Sequence, residues 1–214
     1  MSEILLSEQS KYLEKFLKAE DPILSAMEAY AKVNKVPILA KDSSLLLEQL
    51  IILFKPKRIL ELGTAIAYSS VRMAKCLSPK GIVHTIEKSK DNIKLAVGNI
   101  NKAGLEDKIK LIEGNALDIL PKLEEKYDLI FLDADKTDYK VLFAYSMALL
   151  KKEGVLFVDN LLWHGYAAAE KVPPAYKESA RIIREFNEMF VAEPRLKTSI
   201  LPVGDGVGIG IKIK

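Results

Sequence analysis

The sequence predicts an α/β fold: a doubly wound, mostly parallel seven-stranded sheet, closed by an antiparallel hairpin and preceded by extra helices. Three observations predict it. Short apolar runs bounded by glycine, proline or acidic residues recur between residues 58 and 159 and read as buried strands. Longer helical segments alternate with them, and that rhythm means a parallel sheet covered on both faces. The rhythm then breaks into two apolar segments joined by Pro202-Val203-Gly204-Asp205-Gly206, which read as a hairpin.

Residues 3–18 and 22–34 read as helices, and Asp21-Pro22 starts the second. Asp42-Ser43-Ser44 can cap a third helix over Leu45–Phe54. The first strand is Ile59-Leu60 and Leu62, between Pro56 and Gly63, followed by a helix over Tyr68–Leu77. Then follow a strand at Ile82–Glu87, a helix at Ser89–Ala103 stopped by Gly104, and a strand at Ile109–Glu113. A short helix over Ala116–Glu124, a strand at Tyr127–Asp133, a helix at Asp138–Leu150 and a strand at Val155–Asp159 complete the alternation. Asn160–Pro174 reads as a loop and Ala175–Val191 as a helix. Leu196–Leu201 and Val207–Ile213 form the hairpin, with Lys212 and Lys214 discouraging edge-to-edge pairing. One domain is expected over 1–214, a helical cap (1–54) on a sheet core (55–214).

Composition narrows the setting. The chain has 214 residues, 49% hydrophobic and 29% charged, as in a soluble globular protein. No apolar run reaches the roughly 20 residues that a membrane span needs. Met1-Ser2-Glu3 lacks a basic region followed by an apolar one, so no signal peptide is expected. The single cysteine, Cys76, excludes an internal disulfide, fits the cytoplasm, and reads as a buried thiol. Two histidines and one cysteine are too few for a zinc centre, so any metal would have oxygen ligands. The net charge of +3 permits a polyanionic partner without demanding one.

In an open parallel sheet, ligands sit beyond the carboxyl ends of the strands. The first strand, a small-residue turn and a helix N-terminus form a nucleotide-type opening, Rossmann-like in plan. Only Gly63 stands where a dinucleotide fingerprint has three glycines, which disfavours a dehydrogenase. Glu61 is a charge inside an apolar strand. Glu87 ends the second strand and is placed to accept hydrogen bonds from a ribose diol. Asp133, Asp159 and Asn160 end two strands and offer only hard oxygen atoms, a donor set suited to Mg²⁺, Ca²⁺ or Mn²⁺. Taken singly, each acid could be a turn former; their shared rim favours metal binding. Lys136 follows Asp133 by three residues. A neighbouring cation disfavours protonation of an amine, which makes Lys136 the candidate general base. Asp135 and Asp138 read as surface acids or helix caps. Lys177, Arg181 and Arg184 share one helix face and, with Lys171, could meet phosphates.

These residues carry a resemblance that covers nearly the whole chain. Leu60-Glu61-Leu62-Gly63-Thr64, Tyr68-Ser69, Thr85-Ile86-Glu87, Asp133-Ala134-Asp135-Lys136 with Tyr139, Asp159-Asn160 with Trp163 and Gly165, Phe186-Asn187, and Leu201 to Gly206 resemble the class I S-adenosylmethionine-dependent O-methyltransferases of the metal-dependent catechol and caffeoyl-CoA group. Within it, Ala29-Tyr30-Ala31, Val36-Pro37-Ile38, Gly63-Thr64-Ala65-Ile66 and Arg72-Met73-Ala74 look most like bacterial tRNA 5-hydroxyuridine methyltransferases.

The resemblance implies that Asp133, Asp159 and Asn160 hold the divalent cation, magnesium first. It implies that Glu87 binds the ribose, that Asn115 and Ala116 border the adenine, and that Asp133 also borders the cofactor. Leu39, Glu61, Gly63 and Ser69 would surround the methionine part, and Lys136 would be the base. It further implies a homodimer. Where the family usually has glycine, this chain has Ala67, which is compatible with binding if it keeps the α region. The implied reaction is methyl transfer to a hydroxyl whose neighbouring oxygen shares the cation. The expected acceptor is 5-hydroxyuridine in tRNA, which presents that pair through O5 and O4; small catechols and hydroxycinnamoyl-CoA esters, which present it too, are the alternative. A non-catalytic cofactor-binding module is the competing class, and the complete set of Asp133, Lys136, Asp159 and Asn160 argues against it.

Overall fold

A computed structural model describes residues 7–17 and 21–214, and the described part has the expected α/β plan. Helices α1 (Ser7–Glu14), α2 (Pro22–Asn34) and α3 (Lys41–Phe54) precede the sheet. Of the first expected helix, residues 3–6 and 18 lie outside the described residues. Asp21 caps α2 by accepting from the Ile23 N–H at 2.8 Å, with Pro22 in the first turn where no N–H is needed. The expected cap of α3 is corrected. Ala40 is its N-cap, and Asp42 lies inside the first turn. There its carboxylate accepts the N–H groups of Ser43 (2.9 Å) and Gly204 (3.0 Å), tying α3 to the C-terminal hairpin loop.

The sheet order is β3-β2-β1-β4-β5-β7-β6. Five parallel strands form its body: β1 (Arg58–Leu62), β2 (Ile82–Glu87), β3 (Ile109–Glu113), β4 (Tyr127–Leu132) and β5 (Leu150–Val158). Then β7 (Val207–Lys212) runs antiparallel beside β5, and β6 (Leu196–Leu201) forms the outer edge. Between strands lie α4 (Tyr68–Cys76), α5 (Lys90–Ala103), α6 (Ala116–Ile119), α7 (Tyr139–Leu149) and α8 (Lys177–Ala192).

Alternation along the strands divides the interior. Ile59, Val83, Phe131 and Phe157 pack under α2, α3, α4 and α5. Leu60, Ile86, Ile130 and Leu156 pack under α7 and α8, where Phe143, Phe186 and Phe190 stack edge-on or face to face. With both faces covered, the parallel strands read as unbroken apolar runs.

Several expected boundaries move, each for a local reason. The expected helix over Ala116–Glu124 shrinks to α6 and a 3-10 turn at Leu120–Lys122, because Pro121 has no N–H to continue it. Strand β5 begins at Leu150 rather than Val155. The polar run Lys151-Lys152-Glu153-Gly154 hides the pairing of Leu150 with Tyr127, and the register shifts between Tyr127 and Leu129. The expected protection of an edge by Lys212 is corrected too. Its strand is internal, and the edge strands β3 and β6 carry exposed Lys110 and Lys197 instead. The Lys212 ammonium donates to the carbonyls of Met147 (2.7 Å) and Leu150 (2.8 Å), which the end of α7 leaves without helix partners. Lys212→Met keeps the stem and removes that donor. It should lower stability by about 1 kcal/mol, read as a lower urea midpoint at unchanged slope. An unmoved midpoint would exclude the capping role.

Candidate active site

The carboxyl ends of β1, β2, β4 and β5 open into a cleft of ≈ 370 Å³. Its first wall is the turn after β1. Gly63 has φ +103, and a Cβ there would fall 2.0 Å from the Asp133 carbonyl oxygen, so only glycine lets β1 and β4 open together. Ala65 (φ 46) and Ala67 (φ 66) also take left-handed backbone. At Ala67 this left-handed α conformation costs more than it would at glycine. Ala67 is the fully buried N-cap of α4, and its neighbours hold it there: its N–H donates to the Thr64 carbonyl at 2.8 Å. Glu87 braces the same turn. Its carboxylate accepts the N–H groups of Ala65 and Ser89, each at 2.8 Å, while the side chain lines the cleft.

Glu61 lies beneath this wall, completely buried. Its carboxyl accepts from Ser69, Ser70 and Thr85, the last at 2.6 Å. Burial nonetheless pushes its pKa up to about 7, against the pull of those hydroxyls. Glu61, Ser69 and Leu39, which the resemblance sets around the methionine part, are not among the residues that line the cleft itself. Gly63, Glu87, Asn115, Ala116 and Asp133 do line it. Asn115 caps α6 by accepting from the Leu117 N–H at 3.0 Å. Pro37 and Ile38, from the link between α2 and α3, also line the cleft, next to the buried Leu39.

The opposite wall carries the acids. Asp133 follows β4 and Asp159 follows β5, and because these strands are neighbours, both side chains reach one rim with Asn160. The Lys136 ammonium donates to Asn160 Oδ1 (2.7 Å), to Tyr139 Oη, and to Asp133 Oδ1 (3.4 Å). Tyr139 is fully buried and donates to the Asp159 carbonyl at 3.1 Å, which fixes the lysine's partner. Asp159 Oδ1 is buried without any hydrogen-bond partner. Burial, then the charge of Asp133, pushes the Asp159 carboxyl up to about 7, while the Asn160 N–H and Lys136 pull it down. Among the described residues no three His, Cys, Asp or Glu side chains form a metal cage; the oxygen set here is two carboxylates and one amide.

Two further residues stand near this rim. Trp163 lines the cleft, donates from Nε1 to Ser179 Oγ at 2.7 Å, and has Lys136 Nζ 5.4 Å from its ring centre. Asp205 accepts the His164 N–H at 2.6 Å and adds a third carboxylate near Lys136. Its signal in the sequence is an acid between two glycines in a tight loop. The basic face of α8 is partly spent. Arg184 donates to the carbonyls of Tyr166, Ala167 and Ala169, and Arg181 pairs with Glu178 and Glu185. Lys171 and Lys177 remain exposed.

Glu61 generates a pH signature. An unfolded glutamate releases its proton near 4.5, whereas buried Glu61 keeps it to about 7. Between those values the folded state binds more protons, so stability falls as pH rises through the window and levels off above it. Asp159 adds a slope of the same sign. Glu61→Gln should flatten the dependence of the thermal midpoint on pH in metal-free protein; a slope equal to wild type would refute the buried proton.

Comparison with known proteins places this geometry. An O-methyltransferase family model matches residues 8–213. A caffeoyl-CoA O-methyltransferase from Populus kitakamiensis is 34% identical over 174 residues, 78% of this chain and 74% of that protein. One from Medicago sativa is 34% identical over 183 residues, 81% and 74% of the two chains. A Staphylococcus aureus structure assigned as a caffeoyl-CoA O-methyltransferase superposes with TM-score 0.90 at 32% identity, covering 96% of this chain and 100% of that one. An O-methyltransferase from Bacillus cereus, solved with S-adenosylhomocysteine (SAH), superposes with TM-score 0.82 at 28% identity, covering 94% and 96%. The chain therefore belongs to the caffeoyl-CoA type of the class I S-adenosylmethionine-dependent O-methyltransferase family.

Proposed function

We propose that the protein transfers the methyl group of S-adenosylmethionine to a ring hydroxyl flanked by a second oxygen, with a divalent cation held by Asp133, Asp159 and Asn160. The observation that carries the cation is Asp159 Oδ1, a buried carboxylate oxygen with no partner beside other hard oxygens. The donor is supported by the turn at Gly63 and by structural neighbours solved with S-adenosylmethionine or its demethylated product. Magnesium suits this oxygen set, and calcium or manganese are the alternatives.

When bound, the cation supplies Lewis acidity that lowers the pKa of the acceptor hydroxyl. The chain's own residues do the rest. Glu87 accepts from the ribose hydroxyls, and Asn115 and Ala116 border the base. Pro37 and Ile38 cover the cleft and exclude water. Trp163 offers its flat face to the acceptor ring, and Lys136, steadied by Tyr139 and held neutral when a cation is bound beside it, would receive the acceptor's proton. Holding the reactants in line accounts for much of the acceleration.

Trp163 and the neighbouring cluster of His164, Tyr166 and Tyr176 favour a compact catechol-type acceptor, free or on a coenzyme A ester. The second acceptor, 5-hydroxyuridine in tRNA, is favoured by exposed Lys171 and Lys177. Radiolabelled methyl transfer to caffeate, caffeoyl-CoA and hypomodified tRNA separates them, and only the tRNA reaction should weaken steeply with salt. Asp159→Ala should lose about 100-fold or more in kcat/KM. Full activity of that variant in EDTA would overturn the cation.

A further inference from the structure

The helix that follows the first wall and the two helices that flank the Pro37-Ile38 link are joined through one buried hydroxyl that the reaction does not use. Tyr68 is the first residue of α4, directly after the left-handed Ala67, and is 2% exposed. Its hydroxyl donates to Glu28 Oε1 on α2 at 2.7 Å and accepts from Arg72 Nη1 at 2.6 Å. Arg72 in turn donates from Nε to Glu48 on α3 at 2.7 Å. Lys41, the first residue of α3, reaches the other Glu28 oxygen at 3.4 Å. Glu28 and Glu48 thus pin the two helices that flank the link carrying Pro37 and Ile38. Tyr68 and Arg72 belong to the helix that starts at the cofactor turn.

The link itself is short and anchored. Lys35 ends α2 in left-handed backbone, the Val36 N–H donates back to the Ala31 carbonyl at 3.0 Å, and Leu39 is buried in the core. Its path across the cleft is therefore set by where α2 and α3 dock. Burial and the Glu28 hydrogen bond hold the Tyr68 phenol far above its ordinary pKa, so the hydroxyl keeps its proton and its direction of donation. A hydrogen bond between a phenol and a carboxylate is charge-assisted and stronger than a neutral one.

We propose that the Tyr68 hydroxyl is a latch joining the cofactor turn to the cap, and that Tyr68 and Glu28 are positioning residues that hold Pro37 and Ile38 over the methyl donor. The inference rests on the reading of the cleft as the donor site. Occupancy of the cleft and docking of α2 and α3 are then linked, so each strengthens the other.

Tyr68→Phe removes one oxygen and keeps the ring. Its affinity for SAH, measured by calorimetry, should fall about tenfold, as the loss of one charge-assisted hydrogen bond implies. The KM for the donor should rise by the same factor, with kcat at saturating donor within about twofold of wild type. Glu28→Gln, which keeps an acceptor for the hydroxyl, should retain most of the wild-type affinity, and Glu28→Leu should not. Hydrogen exchange across residues 22–40 should quicken in Tyr68→Phe without any ligand. Unchanged SAH affinity with unchanged exchange would overturn the latch. If wild type fails to bind SAH, the donor reading falls, and the exchange comparison alone then decides the latch.

Discussion

The site depends on the close approach of Gly63 to the backbone of Asp133. A side chain at Gly63 would drive its Cβ to 2.0 Å from the Asp133 carbonyl oxygen, so the ends of β1 and β4 can open side by side only without one. Adjacent strands carry the contact onward: the Asp133 N–H donates to the Leu62 carbonyl, and the Asp159 N–H to the Leu132 carbonyl. One backbone constraint therefore brings a turn suited to a nucleotide and a rim of hard oxygens to the same cleft. Neither would serve methyl transfer alone, since the reaction needs donor and acceptor within one water-poor space.

The cleft is surrounded by choices that folding alone would not favour. Glu61 is an ionisable side chain in an apolar strand interior, and it needs three hydroxyl donors. Asp159 keeps an oxygen buried with nothing to bond. Ala65 and Ala67 hold left-handed backbone without the glycine that usually takes it. Such local violations persist where the surroundings over-determine them, and here they cluster around one cavity. Glu61 supports the turn from beneath. Its oxygens face Ser69, Ser70 and Thr85, and it stiffens the floor beneath the turn.

Much of this was legible in the sequence because buried parallel strands are written as short apolar runs. The strands Ile82–Glu87 and Ile109–Glu113, and the helix stopped by Gly104, fall where the pattern puts them. So do the strand-end residues Glu87, Asp133, Asp159 and Asn160, because a parallel sheet sends all its carboxyl ends to one rim. What was not legible depends on contacts far along the chain. Lys212 could not be read as a cap for α7 without knowing that β7 lies inside the sheet. Arg184 looks like a phosphate ligand until the loop carbonyls of residues 166, 167 and 169 fold onto it. The resemblance located the segment at Leu39; that Pro37 and Ile38 line the cleft depends on where α2 and α3 dock.

The central claim is that one rim of oxygens, Asp133, Asp159 and Asn160, holds a divalent cation next to the methyl donor. Titration of metal-free protein with Mn²⁺, followed by electron paramagnetic resonance with SAH present, tests it most directly. The account predicts one site per chain that disappears in Asp133→Ala and Asp159→Ala, while SAH still binds Asp159→Ala. Mn²⁺ bound equally well by wild type and both variants, or not at all, would contradict it.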